Sequence, residues 1–234
     1  MMSRCGLKHK PNRVTVILGA YGSGKSEVSV NYAIWLRNQQ HDVTLCDLDT
    51  INPFFRSADA RMLVNEQGIR LIAPVFAGTN VDVPAVPAEI QSVFDDRSRY
   101  AVLDIGGEAM GARVVASFKN RLAELQPSPD VWMVVNPYRP FTRTIEQIVE
   151  QADVLVQSAG LPLTGLIHNA NLLENSDGYI LSESYSTVAG AAECLKQPIV
   201  FAAALNEHVP AGWGDCTPEG VPLLRMKRTI HYRV

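Results

Sequence analysis

Short apolar runs alternate with longer stretches of mixed polarity along the whole chain. The first run, residues 13–18, lies between Pro11 and Gly19, and residues 25–38 follow it with apolar side chains at helical spacing. Continuous β-branched runs of this length are typical of parallel strands buried on both faces, whereas a 3.6-residue period indicates a helix. Further strands are predicted at residues 43–46, 70–73, 100–105, 131–135, 163–168 and 199–202.

Helices are predicted in the intervals between these strands. They cover residues 25–38, 57–66, 88–94, 111–125, 142–157 and 179–195. Strands that alternate with helices of this length predict the α/β class, with a doubly wound, mainly parallel sheet and helices on both faces. No linker rich in Gly, Ser or Pro divides the chain, so residues 1–234 are predicted to form one domain, with 1–12 as a flexible leader. The alternating tail, residues 224–234, predicts a final edge strand.

Composition and charge narrow the possible functions. The 234 residues are 47% hydrophobic, which is enough for one core that buries roughly 70% of the unfolded surface. A net charge of −3 provides no general field for nucleic acid or anionic membrane, so neither is a predicted partner. The cysteines show no C-x-x-C spacing, which predicts reduced thiols in a cytoplasmic protein. They are Cys5, Cys46, Cys194 and Cys216.

A glycine-rich segment joins the first predicted strand to the first predicted helix and matches G-x-x-x-x-G-K-[ST]. Its positions are Gly19, Ala20, Tyr21, Gly22, Ser23, Gly24, Lys25 and Ser26. The glycines let successive backbone N–H groups point at phosphate oxygens, and the start of the helix adds a favourable field. Lys25 would neutralise the β- and γ-phosphates, and the Ser26 hydroxyl would ligate the Mg²⁺ that bridges them. The segment therefore predicts a P-loop nucleotide-binding domain.

Polar side chains end three of the other predicted strands, where ligands bind in this architecture. Asp47 and Asp49 follow the second strand with the same facing, so both could reach the metal or an attacking water. Asp104 closes an apolar run as a Walker B aspartate does, which predicts that it holds Mg²⁺ through water. Gly107 offers a backbone N–H to the γ-phosphate, and Asn169 could read the edge of a nucleobase.

With these residues the chain resembles the SIMIBI class of P-loop NTPases, in particular the ParA/MinD and nitrogenase-iron-protein group of nucleotide-dependent switches. The resemblance implies that Asp49 orients the attacking water and that Asp104 is the aspartate on the magnesium side. It also implies that Asn169 contacts adenine and that Asp47 supports the metal or the water.

One position departs from that group. Its loop usually carries a second lysine, in a K-G-G-x-G-K-[ST] pattern, that crosses a dimer interface to the phosphates of the partner subunit. Ala20 stands at the aligned position, followed by Tyr21. A homodimer of that kind is therefore implied only if another cation, such as Arg139 or Arg143, takes the place of the lysine.

The resemblance also raises the question of membrane binding, because MinD-like proteins use an amphipathic C-terminal helix for it. Residues 223–234 alternate with a period of two, which fits a strand better than a helix with one apolar face. A single short basic segment would in any case bind a membrane weakly. Membrane association is therefore not predicted.

Three functions fit these residues. The preferred one is Mg²⁺-dependent binding and hydrolysis of a nucleoside triphosphate, as a conformational switch for a protein partner. ATP is favoured over GTP because the N-K-x-D guanine signature is absent. The second is a kinase for a small-molecule or polynucleotide hydroxyl, with Asp49 as base, Arg139 or Arg143 on the transferring phosphoryl group, and the acceptor in the loop 78–87, which contains Asn80 and Asp82. The third is a nucleotide-binding assembly or maturation factor without turnover.

Overall fold

The computed structural model describes residues 10–49, 58–73, 88–107, 109–172, 176–177 and 179–229, together with Leu7. Eight strands are described, and they form one sheet. They are β1 (Val14–Gly19), β2 (Val43–Leu48), β3 (Arg70–Ile72), β4 (Tyr100–Ile105), β5 (Asp130–Val135), β6 (Gly165–His168), β7 (Ile199–Leu205) and β8 (Leu223–Met226). Their order is β3-β2-β4-β1-β5-β6-β7-β8, and each neighbouring pair is parallel.

Seven α-helices are described, and they cover both faces of this sheet. They are α1 (Lys25–Asn38), α2 (Ala58–Glu66), α3 (Gln91–Asp95), α4 (Ala109–Ala116), α5 (Lys119–Ala123), α6 (Ile145–Ala159) and α7 (Ile180–Leu195). Short 3-10 turns precede α3 and follow β7. The core residues of α1 pack with one face of the sheet, and those of α4, α6 and α7 pack with the other. The prediction of a doubly wound sheet is therefore confirmed.

The central strand β1 shows why continuous apolar runs predict strands in this fold. All six residues of β1 are buried, because β4 and β5 flank it and helices cover both of its faces. Val16 contributes to the core on the side of α4 and α6, whereas the next residue, Ile17, contributes to the core on the side of α1. Side chains of a strand alternate between faces, so a strand buried on both sides needs apolar residues at successive positions.

Three predicted helices differ clearly from the structure. The helix predicted at 88–94 is a 3-10 turn (Ala88–Ile90) followed by α3, and the other two differ for local reasons. The helix predicted at 111–125 is divided into α4 and α5, with a turn at Ser117 and Phe118 between them. The helix predicted to begin at residue 142 begins at Ile145, because Thr144 caps it by accepting a hydrogen bond from the backbone N–H of Gln147.

The predictions for the chain ends have mixed outcomes. The final edge strand exists, but β8 ends at Met226 rather than continuing along the alternating tail. Most of the predicted leader lies outside the described residues.

Cys46 and Cys194 are free thiols, as predicted, whereas Cys216 is disulfide-bonded, so the expectation of a reduced thiol was wrong there. Among the described residues, no helix has the length and apolar character needed to cross a membrane.

Candidate nucleotide-binding site

The P-loop leaves β1 at the centre of the sheet and enters α1 directly. Gly22 and Gly24 have φ values of 73° and 88°, a region that L-residues with side chains rarely adopt. A Cβ on Gly24 would also overlap the amide nitrogen of Asn169. No side chain caps the start of α1, so the first backbone N–H groups of the helix remain available to an anion. The loop therefore has the backbone geometry of a phosphate cradle.

Lys25 bends back over this loop. Its side chain is buried, and its Nζ donates a hydrogen bond to the carbonyl oxygen of Ala20 at 3.1 Å. Burial lowers the pKa of the Lys25 ammonium, while the nearby carboxylates of Asp104 and Asp49 act in the opposite direction. A polyphosphate at the cradle would stabilise this buried ammonium, because an adjacent anion offsets the cost of burying a charge.

The loop after β4 lies directly against the P-loop. A Cβ placed on Gly107 would lie 2.7 Å from Lys25 Nζ and 2.9 Å from the backbone N and Cα of Tyr21. Glycine is therefore the residue that fits this close approach. Gly107 thus lies beside the phosphate loop, and the predicted contact of its backbone N–H with a γ-phosphate remains a prediction.

Replacing Gly107 by alanine is expected to raise the dissociation constant for nucleoside triphosphate about tenfold, because overpacking of this kind costs about 1–3 kcal/mol. The new methyl group would push Lys25 and the Tyr21 backbone away from their positions. Binding is measured with a fluorescent nucleotide. Gly212→Ala is the matched control, since a Cβ at Gly212 meets no atom within 4 Å. Equal affinities for both variants would show that this contact does not shape the cradle.

Carboxylates meet beside the loop because β2 and β4 are neighbours. Asp47 and Asp104 are paired in register across the two strands. Burial raises the pKa of Asp104 to about 7, and the negative charge of Asp47 is the next largest cause. Hydrogen bonds from Ser26 and Ser29 and the charge of Lys25 oppose this shift. A carboxylate whose anion is destabilised in this way would gain from a bound cation, and its oxygen donors suit Mg²⁺.

Hydroxyl groups from α1 complete this cluster. Ser29 donates a hydrogen bond from its Oγ to Asp104 Oδ1 at 3.1 Å. Ser26 also hydrogen-bonds Asp104, so the predicted Ser26 and Asp104 pair is brought together. Ser29 was missed by the sequence reasoning, although its position three residues after Ser26 places both on one face of a helix. In the described part of the chain no group of three or more His, Cys, Asp or Glu could hold a metal ion.

Asp49 lies at the exit of β2, between the carboxylate cluster and the loop after β4. Its backbone N–H donates to Asp47 Oδ1 at 3.1 Å. Its own Oδ1 lies over Gly106, 3.1 Å from where a Cβ of that glycine would be. The side chain is largely buried and lines the same cleft as Lys25.

Asn169, which follows β6, contacts the P-loop through its side chain. Its Nδ2 donates to the carbonyl oxygen of Ser23 at 2.8 Å, which ties the end of β6 to the loop. Its Oδ1 is buried and has no hydrogen-bond partner among the described residues. The structure thus brings Asn169 to the nucleotide cleft, and contact with a base remains a prediction.

The loop after β5 brings one of the two predicted arginines to the site. The Asn136 side chain fixes this loop, accepting from the backbone N–H of Tyr138 and exchanging hydrogen bonds with the backbone of Asn171. The Arg139 side chain lies over Gly22, with its Nε 3.5 Å from where a Cβ would be. Arg143 is exposed and is not among the cleft-lining residues.

The sequence and the structure of this chain resemble known proteins to different degrees. The sequence matches no protein-family model and no curated protein. The structure is similar to FtsY from Mycoplasma mycoides (16% identity, TM-score 0.51) and to cell division protein FtsY from Thermotoga maritima (16%, 0.54). It is also similar to the signal recognition particle 54 kDa protein from Aeropyrum pernix, solved in complex with GDP (19%, 0.54). The chain therefore shares the α/β fold of these proteins.

These similarities cover 84%, 87% and 82% of this chain, and they span 62%, 65% and 42% of the three matched chains. The predicted P-loop NTPase fold is therefore confirmed over most of the chain. The narrower resemblance to ParA, MinD and the nitrogenase iron protein remains a prediction.

Proposed function

We propose that this protein binds a nucleoside triphosphate with Mg²⁺, hydrolyses it, and thereby switches its affinity for a protein partner. The observation that carries the proposal is the contact of Gly107 with Lys25 and with the P-loop backbone at Tyr21. A γ-phosphate at Lys25 would touch both loops at once. Its loss on hydrolysis would remove that shared contact and let the loop after β4 relax, as in other phosphate-sensing switches.

Each residue of the cluster has a role in this proposal. Ser26 and Asp104 would hold Mg²⁺, Asp104 through a water molecule, and Asp47 would support the metal. The ion would neutralise charge on the β- and γ-phosphates. Asp49 would orient the attacking water from the exit of β2. Lys25 and the loop N–H groups would bind the phosphate oxygens.

ATP is the proposed substrate. Guanine presents an N1–H and a 2-amino group, which a carboxylate recognises by accepting both protons. Two carboxylates line the described cleft, Glu27 and Asp49. Glu27 accepts hydrogen bonds from Thr229, and Asp49 lies at the phosphate end. GTP is tested in parallel because the similar 54 kDa protein was solved with GDP.

The test is phosphate release from ATP and GTP, with Mg²⁺ and with Mg²⁺ removed by EDTA. We expect release that requires Mg²⁺ and no added acceptor, with ATP preferred at least about tenfold, which corresponds to about 1.4 kcal/mol. Tight nucleotide binding without release would instead support the non-hydrolysing assembly or maturation factor. Failure to bind either nucleotide would contradict the proposal.

A kinase is the second candidate, and the position of the Arg139 side chain favours it. Its Nε is buried without a hydrogen-bond partner among the described residues, beside the P-loop. An arginine there could stabilise a transferring phosphoryl group. The acceptor loop predicted at residues 78–87 lies outside the described residues. Nucleotide turnover that begins only when a hydroxyl acceptor is added would support this candidate.

The protein partner and a homodimer also belong to the proposal. Arg139 is the cation near the P-loop that could take the place of the lysine missing at Ala20. A cytoplasmic location remains a prediction, and the disulfide at Cys216 removes part of its original support.

A further inference from the structure

The segment after β8 is fastened to the helix that follows the P-loop. Asn31 of α1 accepts a hydrogen bond from the backbone N–H of Lys227 at 2.8 Å and donates one to its carbonyl oxygen at 3.0 Å. Glu27 Oε1 accepts from the backbone N–H of Thr229 at 2.6 Å and from its hydroxyl at 3.0 Å. Two anchors therefore hold the residues on either side of Arg228.

Arg228 lines the nucleotide cleft together with two apolar residues. Leu205, at the end of β7, and Met226, at the end of β8, are buried side chains that line the same cleft as the P-loop. The Arg228 side chain is 29% exposed and pairs with Glu207 at 4.0 Å. Glu207 is 65% exposed, so this ion pair contributes little and leaves the guanidinium available to a ligand.

Leu205, Met226 and Arg228 give the cleft lining a chemistry that differs from that of the phosphate loop. A guanidinium is planar and weakly hydrated, and it stacks favourably on aromatic rings. The side chains of Leu205 and Met226 offer apolar contact to a flat ring. A purine is the part of a nucleotide that has both a π face and apolar edges.

We propose that Arg228 binds the nucleobase of the bound nucleotide by stacking its guanidinium on the purine, with Leu205 and Met226 in contact with the ring. The inference rests on the proposed function, because it places the phosphates of the same nucleotide at Lys25. Glu27 and Asn31 act as positioning residues. Since Glu27 lies in the first turn of α1, they tie the base-binding segment to the helix that begins at the phosphate cradle.

The test compares ATP with inorganic tripolyphosphate, which has the same kind of phosphate chain and no base. Dissociation constants are measured by calorimetry with Mg²⁺ present. Arg228→Ala is expected to weaken ATP binding about tenfold, since loss of a base-stacking side chain costs about 1–3 kcal/mol. Tripolyphosphate binding is expected to stay unchanged. Arg228→Lys is expected to bind ATP as weakly as Arg228→Ala, because an ammonium keeps the charge and loses the plane.

Lys227→Ala is the matched control, because Lys227 is exposed and its neighbouring contacts to Asn31 come from the backbone. It is expected to bind both ligands as the wild type does. Arg228→Ala leaves both anchors intact, and circular dichroism checks that the variant is folded.

Four other outcomes would overturn the inference. Equal weakening for ATP and tripolyphosphate would place Arg228 at the phosphates, and full rescue by Arg228→Lys would show that charge alone matters. Unchanged ATP binding by Arg228→Ala would show that the residue does not contact the base, and if the wild type still binds ATP, the proposed function stands. A wild type that binds neither ligand would overturn the proposed function and this inference together.

Discussion

Replacing Lys25 by alanine is expected to raise the dissociation constant for ATP at least about 100-fold. The variant loses the ammonium that lies over the phosphate cradle, and a charge-assisted contact in a buried site is worth about 2–5 kcal/mol. Asp104 and Asp49 would also lose their nearby cation, so repulsion between the carboxylates and the phosphates would increase. Binding is measured with a fluorescent ATP analogue and by calorimetry.

Lys119→Ala is the control for Lys25→Ala. Replacing Lys119 by alanine removes one positive charge, as Lys25→Ala does. Lys119 begins α5, is exposed and does not line the nucleotide cleft. We expect its affinity for ATP to match that of the wild type. If Lys25→Ala bound ATP as tightly as this control, the glycine-rich segment would not be a phosphate site, and the proposed function would be wrong.

Replacing Asp49 by asparagine is expected to separate binding from turnover. Asparagine has nearly the same shape, and the backbone N–H of residue 49 can still donate to Asp47, so the local fold should persist. The carboxylate that would orient and activate the water is lost, and such groups contribute about 10²- to 10⁴-fold in rate. We therefore expect the rate of phosphate release to fall at least about 100-fold, with ATP affinity within about threefold of the wild type.

Asp42→Asn serves as the control, because Asp42 is an exposed carboxylate that pairs with Arg37 at 3.6 Å just before β2 begins. Its turnover should equal that of the wild type. Full phosphate release by Asp49→Asn would assign the water-orienting role to another residue. Equal loss of binding and turnover would instead place Asp49 in nucleotide binding, which would leave hydrolysis without an assigned water-orienting residue.

The P-loop could be predicted because its chemistry is local. Eight consecutive residues between a strand and a helix determine the path of the backbone, and the positive φ values at Gly22 and Gly24 are available to glycine without strain. The strands were predictable for a related reason, since burial on both faces demands the continuous apolar runs seen in β1.

The carboxylate cluster was predictable only in part. Asp47 and Asp104 each end an apolar run, and parallel strands end at the same edge of a sheet. Their side-by-side placement, however, depends on β4 inserting between β1 and β2. The high pKa of Asp104 follows from that arrangement, because both its burial and its proximity to Asp47 come from strand order.

Contacts between distant segments could not be read from local patterns. The alternating tail predicted a strand, whereas residues 227–229 leave the sheet because Asn31 and Glu27 offer hydrogen bonds to their backbone. Likewise, the sequence proposed two arginines for the phosphates. The turn that Asn136 stabilises brings Arg139 to Gly22, whereas Arg143 is exposed and does not line the cleft.

The sequence by itself therefore determined the class of fold, the phosphate cradle and the ends of the strands at which the carboxylates lie, because each depends on residues close together along the chain. The tertiary structure alone decided which distant residues meet there. It brings Ser29 to Asp104, Gly107 to Lys25, Asn169 to the P-loop and Arg228 to the lining of the cleft, and each pair of segments is separated by tens to hundreds of residues along the chain. Such contacts follow from strand order and helix packing, which depend on the free energy of the whole core rather than on any local pattern.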